Sequence, residues 1–264
     1  IRDRSKDGVL YVCTQNHGRF ALPTGRAPTK VVAVGENQNA ILTEMGSLYV
    51  YDCRSITLDA MFRLGWHENM HSIDDISSDG NTIYAVCNDR QQLFAWHAFR
   101  PCVEITAYQA LGDTAAGIRF TVISGPYVLD TNGHMYYIDH LFSYYFRITH
   151  ERNPGCFIDV STYLPSESTR NNFFNRVAII ETEDVPPQKI TLLMDEDIPS
   201  SDAQTGLHGY RADVILSLNE PCTKAWALGD CCIAQRENGT HYVCDLRYYH
   251  CLLYTSDAAD DDTR

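Results

Sequence analysis

Apolar and aromatic residues alternate with polar ones in short runs broken by turn residues, the period-two pattern of half-buried β-strands. Residues 40–52 show it most clearly: Ala-Ile-Leu-Thr, a break at Glu-Met-Gly46, then Leu-Tyr-Val-Tyr-Asp. The same phrase returns in residues 84–97, with Gln91 in the glycine's place, in 127–139 around Gly133 and in 232–245 around Gly239. Asp7-Gly8 followed by Val-Leu-Tyr11-Val-Cys13 supplies a second half alone. Asp-Gly and Asn-Gly reach positive φ cheaply, which predicts type I′ turns.

The turn positions Gly8, Gly46, Gln91 and Gly133 recur at roughly 40 to 50 residues, and Gly239 lies about two such steps further on. One more hairpin is therefore expected in the gap, and residues 176–194 hold two strand-like runs around Pro186-Pro187. One hairpin per unit of this length predicts an all-β chain, a β-propeller of four-stranded blades. About six blades or part-blades can be traced in residues 1–250. A seven-bladed ring at this period needs more than about 300 residues, so the chain reads as an incomplete ring.

The aromatic three positions after each turn residue (Tyr11, Tyr49, Phe94, Tyr136, Tyr242) returns to one face and is expected to pack between blades, since repetition in every unit is what a scaffold requires. Asp52, Asp139 and Asp245, three positions further, read as strand-end residues rather than metal ligands.

Composition supports strands: 16 Tyr and 10 Phe stand against 5 Met. No apolar run reaches the roughly 18 to 20 residues of a membrane-spanning helix. The formal net charge is −13. Residues 251–264 contribute three of those charges through Asp257, Asp260, Asp261, Asp262 and Arg264. That tail resembles a translated sequencing-library adapter and is expected not to be native. The start at Ile1 leaves a signal peptide untested. An acidic chain with scattered Lys and Arg disfavours nucleic acid as a partner. Setting Cys251 aside leaves an odd number of cysteines without C-x-x-C spacing, so reduced thiols in the cytoplasm or nucleus are expected rather than disulfides or a zinc ribbon. Cys231 and Cys232 point to opposite faces of a strand. Asn238-Gly-Thr240 matches a glycosylation acceptor but is read as a turn.

The stretch Asn16-His-Gly18-Arg-Phe-Ala-Leu-Pro-Thr-Gly25, followed by Val31-Val-Ala-Val-Gly35-Glu-Asn37 and Leu42-Thr43-Glu-Met-Gly46-Ser-Leu-Tyr49, resembles one repeat of the regulator of chromosome condensation family. The match covers about 45 residues, one repeat unit. The family's Trp-Gly pair after the aromatic is replaced by Tyr51-Asp52, Trp96-His97 and Ile138-Asp139. The resemblance implies a protein-binding propeller, including guanine-nucleotide exchange on a small GTPase or scaffolding in ligase and signalling assemblies, with no catalytic residue, cofactor or membrane. It transfers no individual binding residue.

A competing chemical signal is His67-Glu68-Asn-Met-His71, the H-E-x-x-H pattern in which two histidines one helical turn apart hold zinc and the glutamate activates water. It makes a zinc-dependent hydrolase the alternative function, with His67, Glu68 and His71 as its site. Gly65 just before and Ser77-Ser-Asp-Gly80 soon after leave little room for the helix, Asp74 and Ser77 stand where the extended motif needs Gly and His, and the next glutamate is Glu104. A loop or short helix between blades is the expected context. There is no G-x-S-x-G elbow, phosphate-binding loop or dinucleotide fingerprint. The acidic residues 195–202 read as a blade-connecting loop, and 147–175, rich in Pro-Gly and Asn-Asn, as a long insertion. Functional contacts are expected there or within residues 53–80.

Overall fold

A computed structural model describes residues 2–4, 10–14, 18–21, 28–35, 37–52, 61–97, 100–108, 117–141, 143–150, 157–163, 176–181, 188–194, 207–210, 214–218, 222–228, 231–245 and 250–254. All the regular structure among them is β, in two compact units, Ile1–Thr106 and Ala107–Arg264.

In the first unit, β1 (Arg2–Arg4), β2 (Leu10–Thr14) and β3 (Gly18–Ala21) form a three-stranded part-blade. The first blade is the antiparallel meander β4 (Pro28–Val34), β5 (Gln38–Thr43), β6 (Leu48–Asp52) and β7 (Met61–Arg63). The second is β8 (Ile73–Ser78), β9 (Thr82–Cys87), β10 (Gln92–His97) and β11 (Val103–Ala107). In the second unit the third blade is β12 (Phe120–Ser124), β13 (Tyr127–Asp130), β14 (Met135–Asp139) and β15 (Tyr144–His150). The fourth is β16 (Phe157–Tyr163), β17 (Arg176–Glu181), β18 (Gln188–Met194) and β20 (Val214–Leu218), while β19 (Leu207–Tyr210) runs parallel to β15. The fifth is β21 (Cys222–Leu228), β22 (Cys231–Arg236), β23 (His241–Asp245) and β24 (His250–Tyr254).

These are the blades expected from the period. Each expected hairpin forms, and the one inferred for the gap is β17–β18. The segment expected as a long insertion contains the end of β15 and β16, the opening strand of the fourth blade; the rest of it, residues 151–156 and 164–175, lies outside the described residues, as do 195–202. Residues 251–254, assigned above to the tail, pair with β23 as part of β24.

Turn geometry differs from the type I′ expectation. In the first, third and fifth blades a three-residue loop closes the central hairpin: Gly46 N–H donates to Thr43 O (2.9 Å), Gly133 N–H to Asp130 O (3.1 Å) and Gly239 N–H to Arg236 O (3.0 Å). Only the glycine has positive φ there (72°, 76° and 84°), the arrangement of a type I turn closed by a bulged glycine. The second blade has one residue more, and its positive φ falls on Asn88, Asp89 and Arg90 (54°, 58°, 63°) instead of Gln91.

One irregularity recurs in every blade. Register slips by one residue near the start of each opening strand, between Pro28 and Lys30, Ile73 and Asp75, Phe120 and Val122, Phe157 and Asp159, and Cys222 and Lys224. The bulged residue is Thr in three blades, and its hydroxyl donates to the end of the neighbouring strand: Thr29 to Leu42 O (3.2 Å), Thr121 to Leu129 O (3.3 Å) and Thr223 to Gln235 O (3.5 Å). In the second blade Asp74 Oδ2 instead accepts the Arg90 N–H (2.8 Å). The bulge thus ties the opening strand to the central hairpin, where backbone pairing lapses.

Register also defines two faces per blade. Ala40, Leu42, Leu48 and Val50, on the forward face of the first blade, pack with Ile76, Ile83, Ala85, Phe94 and Trp96 on the backward face of the second. In the second unit, Tyr127, Leu129 and Met135 on the forward face of the third blade pack with Val160 of the fourth. Each large apolar side chain buried this way contributes about 1.5 to 3 kcal/mol. Of the aromatic column, Phe94 and Tyr136 are buried, and Tyr136 meets Phe120 and Tyr145 edge-on. Tyr49 and Tyr242 are half-buried, Tyr242 beneath the Arg236 guanidinium at 4.2 Å, and the Tyr11 side chain lies outside the described residues. Asp52, Asp139 and Asp245 end β6, β14 and β23, the strand-end positions expected.

Candidate interaction surface

Residues 64–72 join β7 to β8 and are anchored at three points. Leu64 N–H donates to Leu48 O (3.0 Å), the Trp96 indole N–H to Gly65 O (2.9 Å), and Leu64 and Met70 are buried in the core between the first two blades. With those points held inside, the intervening backbone must loop outward, leaving Trp66, Glu68, Asn69 and His71 exposed. The Arg63 guanidinium lies 5.8 Å from the Trp66 ring, within cation–π range.

The H-E-x-x-H residues therefore sit in a loop, as the flanking Gly65 suggested, and the one-turn alignment of the two imidazoles on a helix is not made. His67 is half-buried with its ring 5.5 Å from Phe94, and its Nδ1 accepts the Asn69 N–H (3.3 Å). Glu68 and His71 face solvent. Glu104 does come near, but through Asn69, whose side-chain amide donates to it at 2.8 Å. Among the described residues no three His, Cys, Asp or Glu side chains gather as a metal ion requires.

Asn88 organises the loop from the neighbouring turn. Its Oδ1 accepts the N–H groups of His71 (2.7 Å) and Ser72 (3.1 Å), its amide donates to Asn69 O (2.7 Å) and to Gln92 Oε1, and its own N–H donates to Ser72 O (3.2 Å). Gln92 in turn donates to Glu104 (3.3 Å). A left-handed conformation costs an L-residue about 1 to 2 kcal/mol, less for Asn and Asp with their short hydrogen-bonding side chains. Arg90 has no such local relief, and the Asp74–Arg90 N–H bond holds it in place. Strain retained beside a displayed loop marks a surface under constraint. Sequence reasoning placed contacts in residues 147–175 or 53–80 and did not single out Asn88, Gln92 or Glu104 as part of a surface; the Asn-Asp pair at 88–89 was the only local signal.

The two thiols described near this surface are held un-ionised. Burial pushes the Cys102 thiol up to about 12, although the His67 N–H opposes it, and burial raises Cys87 further with help from Cys102 and Asp74. Elsewhere, Asp130 gathers the N–H groups of Asn132 and His134 (2.8 Å each), the Tyr136 hydroxyl (3.0 Å) and His134 Nδ1 (3.1 Å). Burial, then Asp130, pushes the Tyr136 phenol upward, so this cluster stiffens a turn rather than supplying an ionised oxygen.

No protein-family model matches the chain, and no curated protein sequence matches it. Solved structures do. The Cps50 (Swd1) β-propeller domain of Myceliophteria thermophila aligns with a TM-score of 0.55 at 11% identity over 97% of this chain and 86% of that one. BBS1N, solved in complex with ARL6DN, aligns with a TM-score of 0.53 at 10% identity over 94% and 73%. Human WBSCR16 aligns with a TM-score of 0.45 at 13% identity, and there the chain spans about half of the other protein's length, 52%, using 61% of its own. The first two likenesses and the bladed meanders show a β-propeller fold.

Proposed function

We propose that this propeller is a protein-interaction module whose contact surface is the loop of residues 64–72, stiffened by the Asn88–Gln91 turn. The observation that carries the reading is the Asn88 clamp, which holds residues 69–72 of a loop that displays Trp66 and His71 beside Arg63 of β7. Preorganised aromatic and guanidinium groups bind protein partners without an ordering cost at the moment of contact. The BBS1N propeller, similar in fold, was solved with a protein bound to it. Cys87, Cys102, Cys222 and Cys232 are thiols, which supports a cytoplasmic or nuclear setting.

The finer version is nucleotide exchange on a small GTPase, supported by the one-repeat resemblance in residues 16–49. A loop wedge that displaces nucleotide needs no acid or base.

The test is photo-crosslinking from position 66 in cells, followed by affinity measurement with the purified partner. A protein crosslinked at 66 whose affinity falls at least about tenfold in Trp66→Ala supports the reading, a loss typical of an interface hot spot. A partner that binds Trp66→Ala and Asn88→Ala as tightly as the native chain removes this loop from the function. Release of fluorescent GDP from a panel of small GTPases decides the finer version: acceleration abolished by Trp66→Ala supports it, and no acceleration on any member ends it.

A further inference from the structure

The forward faces described on the first three blades are largely covered, with Tyr137 on the third half-buried. On the first blade Ala40, Leu42, Leu48 and Val50 are at most 3% exposed, and on the third Tyr127, Leu129 and Met135 at most 1%. The second blade's forward positions, Tyr84, Val86, Leu93 and Ala95, are buried as well. By register the matching positions of the fifth blade are Ile233, Gln235, His241 and Val243, with Trp226 beside them on β21. All four are only half-buried, and Trp226 is 36% exposed with its ring 6.1 Å from His241. The backward face of the same blade is closed: Cys222, Ala225, Cys232 and Ala234 are buried, and the Ala225 N–H donates to Asp159 Oδ2 of the fourth blade (3.0 Å).

In the first and fourth blades the residue just past the bulge reaches toward the next blade. Lys30 Nζ meets Asp75 Oδ1, its counterpart on the second blade, at 2.6 Å, and Asp159 reaches Ala225 on the fifth. On the fifth blade that residue is Lys224, exposed, with Asp159 behind it.

We infer that the forward face of the fifth blade, Trp226, Ile233 and Val243 flanked by Lys224, Gln235 and His241, is a docking surface for a further antiparallel β-blade. Its occupant presents an apolar backward face with an acidic residue at its own post-bulge position, opposite Lys224. Continuity with the two described blade-to-blade interfaces selects a blade, and the Lys30–Asp75 pair selects the charge. Gln235 and His241 replace Leu42 and Leu48 of the first blade and add hydrogen-bonding groups where that face is aliphatic.

The second blade is a ready probe, because its backward face and Asp75 already cover a forward face. The full chain is extended at its C-terminus, through a Gly/Ser linker, by a second copy of residues 64–107, and its tryptophans are replaced by 5-fluorotryptophan. The expected result is a shift of the Trp226 fluorine resonance, with the host's Trp66 and Trp96 resonances unmoved, and amide exchange across β22 slowed about tenfold or more. Lys224→Asp in the host should reverse the protection, and Asp75→Lys in the appended copy should restore it. An unmoved Trp226 resonance, or protection indifferent to both charge reversals, overturns the proposal. So does a dimer of the unextended chain in sedimentation that is lost in Trp226→Asp or in the milder Val243→Thr, since a second copy would then occupy the face.

Discussion

Arg90 and Gly239 occupy left-handed turn positions with opposite fitness for them. Gly239 at φ 84° tolerates the angle without a Cβ clash, while Arg90 at 63° carries one. Arg90→Gly should raise stability by about 0.5 to 1 kcal/mol, the relief of strain being partly offset by the looser unfolded chain. Gly239→Ala should lower it by about 1 kcal/mol, although a Cβ there meets no atom within 4 Å. Urea titration of both variants checks the pair. Asn88→Ala strips two backbone N–H groups of their acceptor and should cost about 2 kcal/mol, with hydrogen exchange at His71 and Ser72 accelerated locally. Cys102, raised from 9.0 to about 12, should ionise about a thousandfold less than an ordinary thiol at pH 8; iodoacetamide mapping by mass spectrometry should find it unlabelled in the native chain and labelled in urea. The turn glycines were legible in the sequence because a hairpin loop is a local event. Asn88 was not, since its partners lie 16 to 19 residues earlier in the chain and only folding brings them near.

Hairpins and opening strands differ in the same way at the level of elements. The central pairs β5–β6, β9–β10, β13–β14 and β22–β23 announce themselves through alternation around a turn residue, whereas β16 hides between Pro-Gly and Asn-Asn segments that read as loop. The threonine at the bulge was equally hidden, because the distance from Thr29, Thr121 and Thr223 to the following turn glycine varies with the lengths of the intervening strands and turn. Thr121→Val keeps the shape and removes the hydroxyl that reaches Leu129 O and Asp130 O, and should cost about 1 kcal/mol in thermal or urea unfolding. Asp159 links two blades with a sign of its own. Burial raises its carboxyl above the ordinary value, against the Ala225 and Val160 N–H groups and Lys224. The folded state therefore holds its proton more tightly than the unfolded state, and stability from this group falls as pH rises from the ordinary carboxylate range through the raised value. Asp159→Asn should flatten that decline; stability profiles between pH 3 and 7, roughly the span over which carboxylates titrate, would show it.

Across the whole molecule, period and turn spacing were enough to reveal a propeller, because each unit repeats one folding problem. The H-E-x-x-H segment shows the limit of motif reasoning: its spacing carries zinc chemistry on a helix, and between Gly65 and Ile73 the chain has no helix to offer. A net charge of −13 predicts that duplex DNA will fail to shift the chain in a gel at low salt, where phosphate contacts are strongest.

The recurrent bulge has a consequence for change over time and for engineering. In the first, third and fifth blades its threonine fastens the opening strand to the hairpin below the loop, so the loop's own length is decoupled from the alignment of the blade. The second blade already carries one residue more than its neighbours at that place while keeping the same slip of register. The loops at 44–46, 131–133 and 237–239 are in this sense interchangeable cassettes, able to accept insertions and foreign sequences while the strands beneath them stay in step.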